Sequence, residues 1–272
     1  MDIELPRAGG VLLIPDRQAQ GRQAAGGYLV RDWSDGKQWW RGGRALYPHD
    51  PRWHRVSRTA SGPINSVAGL LKNFQYYDMA TERHLKILEQ GVDDWNDWRI
   101  QNPDISPDLS FSDLNGRTLS WANFSEANLT YANLTDANLT LADFGRAKLS
   151  GAYFTRAHLH RAIFDLADLS GTFLNGAFLV ESSFLEADLS GALLSMANLQ
   201  GANLQGAVLS KASLAEAYLY RADLSGANLE DVEHLSLTQI AQVKSVAGSR
   251  LEPAFKEYLE TMHPHLLSAD LS

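Results

Sequence analysis

The stretch ANLTYANLTDANLTLADF, residues 127–144, decides the fold because its pattern repeats every five residues. Each unit places Ala, one polar residue and then Leu or Phe in a fixed order. An α-helix repeats every 3.6 residues and a strand every two, so neither would keep these Leu and Phe side chains on one side. The period therefore predicts that the backbone itself turns once in every unit.

The five-residue pattern continues far beyond this stretch in both directions. Every fifth residue from Leu109 to Leu229 is Leu or Phe, without interruption. Two residues before these centres the chain nearly always has Ala; the exceptions are Pro107, Ser112, Arg117, Thr172 and Ser182. Positions two apart in extended backbone point the same way, so each Ala and the Leu or Phe after it should face inward. The residue between them should face outward.

The positions of Phe indicate how many units make one coil. Phe124, Phe144, Phe164 and Phe184 are spaced by twenty residues, and a coil of four five-residue sides would stack their rings inside one wall. Three pairs of opposite charges share the same spacing: Glu126 with Arg146, Asp136 with Arg156, and Arg161 with Glu181. With about 4.8 Å per coil, the array should make about six coils and a rod roughly 30 Å long.

The tandem A-[DN]-[LF]-x-x units of residues 107–231 resemble the pentapeptide repeat family. The resemblance implies an all-β repeat solenoid, a right-handed four-sided β-helix with helical caps at both ends. The run GVDDWNDWRIQNPDISPDL, residues 91–109, is similar to the N-terminal cap of cyanobacterial members and so implies a bacterial source.

Four segments are predicted along the chain, of which residues 1–78 are the hardest to interpret. Here GYLV and WWRG are typical of short strands, and SVAGLLKNFQYY, residues 66–77, of a helix. The segment is either a small extra domain packed on the rod or largely disordered. MATERHLKILEQGV, from Met79, resembles a natural start for the family, so a mis-assigned start codon is a third interpretation.

Helical caps are expected on both sides of the array. Residues 79–106 should form one or two short helices with a stop or kink at Gly91. Residues 232–272 should form a helix with Thr238 as N-cap and Gly248 as its end. A second helix should follow, from near Pro253 to Pro264.

Composition and motifs exclude several classes of function. Residues 109–230 contain 12 acidic and 7 basic residues, which does not suit a nucleic-acid binder. No apolar run approaches the ~20 residues of a membrane span, and the start lacks a secretory signal, so the cytoplasm is the expected location. Phosphate-loop, nucleophile-elbow and zinc motifs are missing, so no enzymatic activity, catalytic residue, cofactor or metal is expected.

Two functions from different classes remain open. The first is a protein-interaction scaffold whose protein partner is not identified by the sequence. The second follows from the resemblance, because one branch of the family imitates duplex DNA, binds DNA gyrase and protects it from topoisomerase poisons. In that branch the C-terminal segment also makes a homodimer. The small net charge of the array and its lack of projecting loops favour the scaffold.

A candidate partner-binding surface comes from outward positions that are not Asp or Asn. Tyr153, Phe173 and Leu193 are twenty residues apart and should form one apolar ladder on a single face. Phe178 should lie on the neighbouring face, and Met196 at the corner between the two faces. A contiguous apolar stripe is typical of a surface for a protein partner or for a second copy of the rod. The alternative is that the ladder only stiffens the coil.

Overall fold

The computed structural model describes residues 11–15, 27–32, 38–42 and 82–268, and the chain divides into two compact units, Met1–Leu71 and Lys72–Ser272. In the first unit, strands β1 (Val11–Pro15), β2 (Gly27–Asp32) and β3 (Gln38–Gly42) form an antiparallel sheet in that order. The predicted strands GYLV and WWRG are thus confirmed. The predicted helix at residues 66–77 and the start at Met79 lie outside the described residues.

The second unit contains a coil that returns to the same side every twenty residues. From Asp108 to Glu233, parallel β-bridges join residues twenty apart, one bridge for each side of each coil. At Asn138, for example, His158 N donates to Ala137 O at 2.9 Å and Leu139 N donates to His158 O at 2.7 Å. Four sides per coil are therefore confirmed. Between residues 107 and 231 the bridges are isolated and do not extend into strands, and the handedness and number of coils stay predictions.

The interior of the coil is filled by the inward Ala, Leu and Phe side chains, which are buried throughout the array. Phe144 and Phe164 stack with ring centroids 4.9 Å apart and nearly parallel planes, and Phe164 stacks on Phe184 at 4.8 Å. Phe124 continues this stack below Phe144, and Phe154 packs edge-on against Phe144 from the opposite wall. The predicted Phe stack is confirmed, and it forms the centre of the core.

Inward positions that lack Ala are accommodated in two ways: small hydroxyl residues are buried, whereas Arg117 is not. The hydroxyls of Thr172 and Ser182 are buried and donate to the carbonyl oxygens three residues earlier, at 2.8 and 2.7 Å. Arg117 is exposed, and its guanidinium lies 3.3 Å from Glu89. Arg117, one of the exceptions to Ala in the repeat, stays out of the core because an unpaired charge in this apolar interior would be far less stable than one in water.

The corners of the coil depend on the outward polar residues. Every fifth residue from Phe111 to Asp231 has a positive φ, which turns the chain into the next side. The Oδ1 atom of Asn128 accepts from Thr130 N, and that of Asp168 accepts from Ser170 N, at 3.2 and 3.0 Å. An Asn or Asp between Ala and Leu thus fixes the turn two residues later, a role that its outward position alone does not reveal.

Two helices cover the first coil: α1, at residues 82–88, and α2, Val92–Gln101, separated at Gly91. One or two short helices with a stop or kink at Gly91 are predicted here; the structure has two, which stop and restart at Gly91. Trp95 is 0% exposed, and its Nε1 atom donates to Asn123 O at 2.8 Å. Arg99 donates to Ser125 O at 2.7 Å. These bonds satisfy carbonyl groups at the open edge of the coil, and the likeness to cyanobacterial caps stays a prediction.

The last coil is closed by a different arrangement from the one predicted. Helix α3 spans only Leu237–Ile240 and is capped by Ser236, so the prediction of Thr238 as N-cap and of a helix to Gly248 is wrong. Ser236 and Gln239 form a reciprocal capping box, which fixes the start earlier in the chain. After Ile240 the chain turns back to bridge the open edge of the coil, which a longer helix could not do. These bridges are Asp223 with Ser245 and Asn228 with Arg250.

The second predicted helix of this segment is confirmed as α4, Pro253–Met262, with Pro253 in its first turn. A 3-10 turn, Pro264–Leu267, follows it. Leu259 and Leu266 are buried against the core. The division of the chain at residues 78, 106 and 231 stays a prediction.

Candidate partner-binding surface

Two neighbouring sides of the coil carry the predicted surface. The Phe173 row is the set of bridged outward residues Asp113, Asn133, Tyr153, Phe173, Leu193, Ser213 and Glu233. The Phe178 row on the next side is Thr118, Asn138, His158, Phe178, Asn198 and Tyr218. In both rows polar residues at the N-terminal end are followed by apolar or aromatic residues in the middle of the array.

The structure places Tyr153, Phe173 and Leu193 on three consecutive coils of the Phe173 row. The rings of Tyr153 and Phe173 stack at 4.6 Å with an interplanar angle of 7°. Leu193 follows Phe173 one coil later and is 36% exposed. The geometry is thus the single ladder that their spacing predicts.

The Phe178 row supplies the other half of the surface. Phe178 is 46% exposed and stacks on His158 at 4.8 Å. Met196 is 61% exposed and lies at the corner between the two rows. We call Phe173, Leu193, Phe178 and Met196 the apolar surface.

The apolar surface stands where the coil otherwise uses Asp or Asn to fix its corners. A phenyl ring or an isobutyl group cannot accept the hydrogen bond that Asn128 accepts from Thr130 N. Each such bond contributes about 0.5–1.5 kcal/mol to stability. Phe173 and Leu193 thus replace a stabilising corner acceptor by an apolar group in consecutive coils, and Phe173 stacks on Tyr153 instead.

Charges of both signs border the apolar surface. At the corner that holds Met196, the guanidinium of Arg156 donates to both carboxylate oxygens of Asp136, at 2.8 and 2.6 Å. The Arg156 hydrogen bonds lower the pKa of Asp136, and the same bonds raise the pKa of Arg156. At the far corner of the Phe178 row, Arg161 lies 3.8 Å from Glu181. The border is thus mixed in sign and held in register.

The third predicted charge pair is not formed. Glu126 and Arg146 lie one coil apart at the same corner, but no ion pair joins them among the described side chains. The charge of Glu126 instead favours the protonated form of Arg99, whose pKa is nevertheless lowered by burial. The predicted register of Glu126 and Arg146 is correct, but Glu126 interacts with Arg99 of helix α2 instead.

The other edge of the Phe173 row is formed by glycines. Gly151, Gly171 and Gly191 occupy consecutive positions of that corner, each with a positive φ. A methyl group added at Gly171 or Gly191 would meet nothing within 4 Å. No side chain projects from this corner at the three glycines, so a binding partner can approach the Phe173 row from this side.

Some exposed apolar residues were not included in the sequence prediction. Tyr218 is 64% exposed and continues the Phe178 row, forty residues after Phe178, a signal that the twenty-residue spacing provides. A second group, Ile163, Leu166 and Leu185, lies around the corner diagonally opposite Met196. Leu166 and Leu185 occupy turn positions, for which the repeat has no residue rule, so spacing alone could not find them.

Two further properties concern the part of the chain that the structure describes. Among these residues, no group of three or more His, Asp or Glu side chains is arranged to hold a metal ion. Nor is any described helix both long and apolar enough to cross a membrane.

A comparison with protein-family models agrees with the repeating part of this chain. The family model for pentapeptide repeats (8 copies) matches residues 108–140, 137–176, 162–195 and 192–231. A comparison with curated proteins found no match.

Several solved structures are similar to part of the chain. HetL, a pentapeptide repeat protein involved in heterocyst differentiation regulation from Nostoc sp. strain PCC 7120, is 28% identical over 53% of this chain and 72% of its own, with a TM-score of 0.44. A pentapeptide repeat protein from the Arabidopsis thaliana thylakoid lumen is 28% identical over 54% and 90%, with a TM-score of 0.24. The plasmid-mediated fluoroquinolone resistance protein QnrB1 is 20% identical over 56% and 83%, with a TM-score of 0.26. Residues 108–231 of this chain thus form an array of pentapeptide repeats, the segment that the family model matches.

Proposed function

We propose that this pentapeptide repeat protein is a non-enzymatic protein-interaction scaffold. Its array is a right-handed four-sided β-helix of about six coils, and the apolar surface, with Tyr153 stacked beneath it, binds a protein partner. The observation that carries the proposal is the replacement of corner-fixing Asp or Asn by Phe173 and Leu193 on consecutive coils of one side. The cytoplasm is the proposed location, which cell fractionation tests.

The physical support for an interaction surface is the arrangement of apolar and charged groups. Phe173, Leu193, Phe178 and Met196 are contiguous across two sides and one corner, whereas single exposed apolar residues would need no explanation. Protein interfaces combine an apolar centre, often aromatic or Met-rich, with a polar border. The ion pairs Arg156–Asp136 and Arg161–Glu181 provide such a border on the array.

A capture experiment tests the proposal. The full chain is immobilised and exposed to an extract of its source cells, beside Leu193→Asp and Leu166→Asp variants. We expect Leu193→Asp to lose captured proteins that the wild-type chain retains, because it places a charge in the centre of the apolar surface. Leu166→Asp adds the same charge at the diagonally opposite corner and should change nothing. Equal capture by all three chains would contradict the proposal.

DNA gyrase is the alternative partner, and the acidic excess of residues 109–230 is the observation that favours it. A DNA-mimicking surface would bind through carboxylates, whereas the surface proposed here is apolar. A gyrase supercoiling assay with a quinolone separates the two functions. Protection by the wild-type chain that survives Leu193→Asp would favour gyrase binding over the scaffold.

A further inference from the structure

The apolar surface is complementary to itself, and we infer that it binds a second copy of this chain in an antiparallel, two-fold symmetric pair. This inference rests on the proposed function and names the partner of the same surface. It concerns the Phe173 row and the corner that carries Met196. Four described residues of that corner carry the argument, and they are Arg156, Gly176, Met196 and Glu216.

Two-fold symmetry fixes which residues meet. When two rods pair side to side with the axis across the rod, each corner faces the same corner of the other copy in the reverse direction. If the axis passes midway between the coils of Phe173 and Leu193, each Phe173 lies opposite the Leu193 of the second copy. Gly176 then lies opposite Met196, and Arg156 lies opposite Glu216.

Shape supports this register. Met196 projects from the corner with 61% of its surface exposed, so it needs a recess in whatever covers it. Gly176 provides one, because it has no side chain and a methyl group placed there would meet only Arg156 Cγ, at 3.7 Å. A flexible thioether opposite a glycine fills such a recess without displacing backbone. The two-fold axis makes this contact twice.

Charge supports the same register. Arg156 and Glu216 are both exposed at the corner, three coils apart, on the two sides of the axis. The pairing places each guanidinium opposite a carboxylate of the second copy and makes no like-charge contact between these groups. Complementary border charges of this kind select the partner and the register more than they add affinity.

The two neighbouring registers are less favourable in shape and in charge. With the axis at Phe173, the carboxylates of Asp136 and Glu216 lie opposite each other, which is unfavourable. With the axis at Leu193, Met196 lies opposite Met196, and Gly176 lies opposite Glu216. Only the register between them seats each Met196 over a glycine and gives each Glu216 a basic partner.

Sedimentation velocity of the full chain tests the inference, over roughly 1–100 µM as expected for a small interface between folded proteins. We expect a dimer that Leu193→Asp dissociates. Glu216→Arg should weaken it by roughly tenfold, because it opposes Arg156 of the second copy. The combination Arg156→Glu with Glu216→Arg should restore the dimer, since both pairs are then exchanged; Asp136→Asn is added to all chains in this comparison, because Asp136 pairs with Arg156 in its own chain and would repel a Glu there. Leu166→Asp is the matched control and should leave the dimer intact.

The outcomes separate this inference from the proposed function. A wild-type chain that is monomeric at all concentrations would overturn the second-copy inference. If its Leu193→Asp variant still lost partner capture, the proposed function would stand with a different partner. A dimer that Glu216→Arg does not weaken, or that the double charge exchange does not restore, would overturn the antiparallel register.

Discussion

Single outward residues decide how tightly each corner of the coil is built. Where Asp or Asn precedes the centre, its side chain accepts from the backbone two residues later, as Asp188 does from Ser190 N at 2.9 Å. The residue that follows this backbone donor has a positive φ whether or not it is glycine; Arg156 and Met196 are examples that are not glycine. Glycine is therefore required only where a side chain would meet another group.

Gly151 is one such position, and it permits a sharp comparison with Gly171. Both have a positive φ, but a methyl group at Gly151 would lie 2.4 Å from the ring of Tyr131, whereas at Gly171 it would meet nothing within 4 Å. Tyr131 has little room to move, because Phe111 stacks on its other side at 5.3 Å.

We expect Gly171→Ala to lower the free energy of unfolding by about 1 kcal/mol, the cost of a left-handed Ala. Gly151→Ala should lower it by about 2–4 kcal/mol, because overpacking is added to the same backbone term. Urea denaturation of the two variants and the wild-type chain measures both values. Equal losses would show that Tyr131 does not restrain position 151.

At the scale of elements, the two ends of the array are held by buried polar groups. In the C-terminal segment, Asp223 is buried and accepts from Lys244 Nζ at 3.0 Å and from Gln205 Nε2 at 2.9 Å. Burial raises the pKa of the Asp223 carboxyl, but hydrogen bonds from Ser225, Gln205 and Lys244 outweigh it and lower the pKa to about 2. This carboxylate ties the closing segment to the last regular coil.

The lowered pKa of Asp223 predicts how stability depends on pH. The ordinary pKa is 3.8, so the stabilisation is complete above that value and is lost as the pH falls towards 2. We expect Asp223→Asn to lower the melting temperature at neutral pH and to remove part of the acid dependence between about pH 4 and pH 2. Asp188→Asn, which keeps a corner acceptor, is the control. Parallel pH profiles for wild type and Asp223→Asn would contradict this account.

Within the elements, the sequence predicted the repeating part better than the ends. The five-residue period was enough to predict four sides, the buried Phe stack and the ladder of Phe173 and Leu193, because each unit sees the same surroundings as its neighbours. At the ends this equivalence is lost. The start of helix α3 at Ser236 depends on one local capping box, and the return of Ser245 to Asp223 depends on an open edge that no period describes.

Long charged side chains choose partners that the five-residue period does not predict. Arg117 occupies an inward position in the period, yet it reaches outward to Glu89. Glu126 is in register with Arg146 but acts on Arg99. The period fixes where each Cα lies, whereas a flexible charged group selects among several partners within reach.

At the scale of the whole molecule, the residues that build the array differ from those proposed to bind a partner. Inward side chains such as Phe164 are fully buried and have no contact with solvent. Phe173 and Leu193 instead face outward on a side whose other members, such as Asn133 and Ser213, are polar. The central claim is that these two outward residues contribute to association and little to folding.

The double variant Phe173→Asn with Leu193→Asp tests this claim most directly. Both new residues are typical of their positions in other units, and each supplies the corner acceptor that Phe and Leu lack. Thermal unfolding and association, by sedimentation and by partner capture, are measured on the same preparation. We predict a melting temperature within about 4 °C of wild type, which corresponds to about 1 kcal/mol for a domain of this size, together with loss of association. A variant that melts far lower while association is unchanged would contradict the account and assign the ladder to the fold.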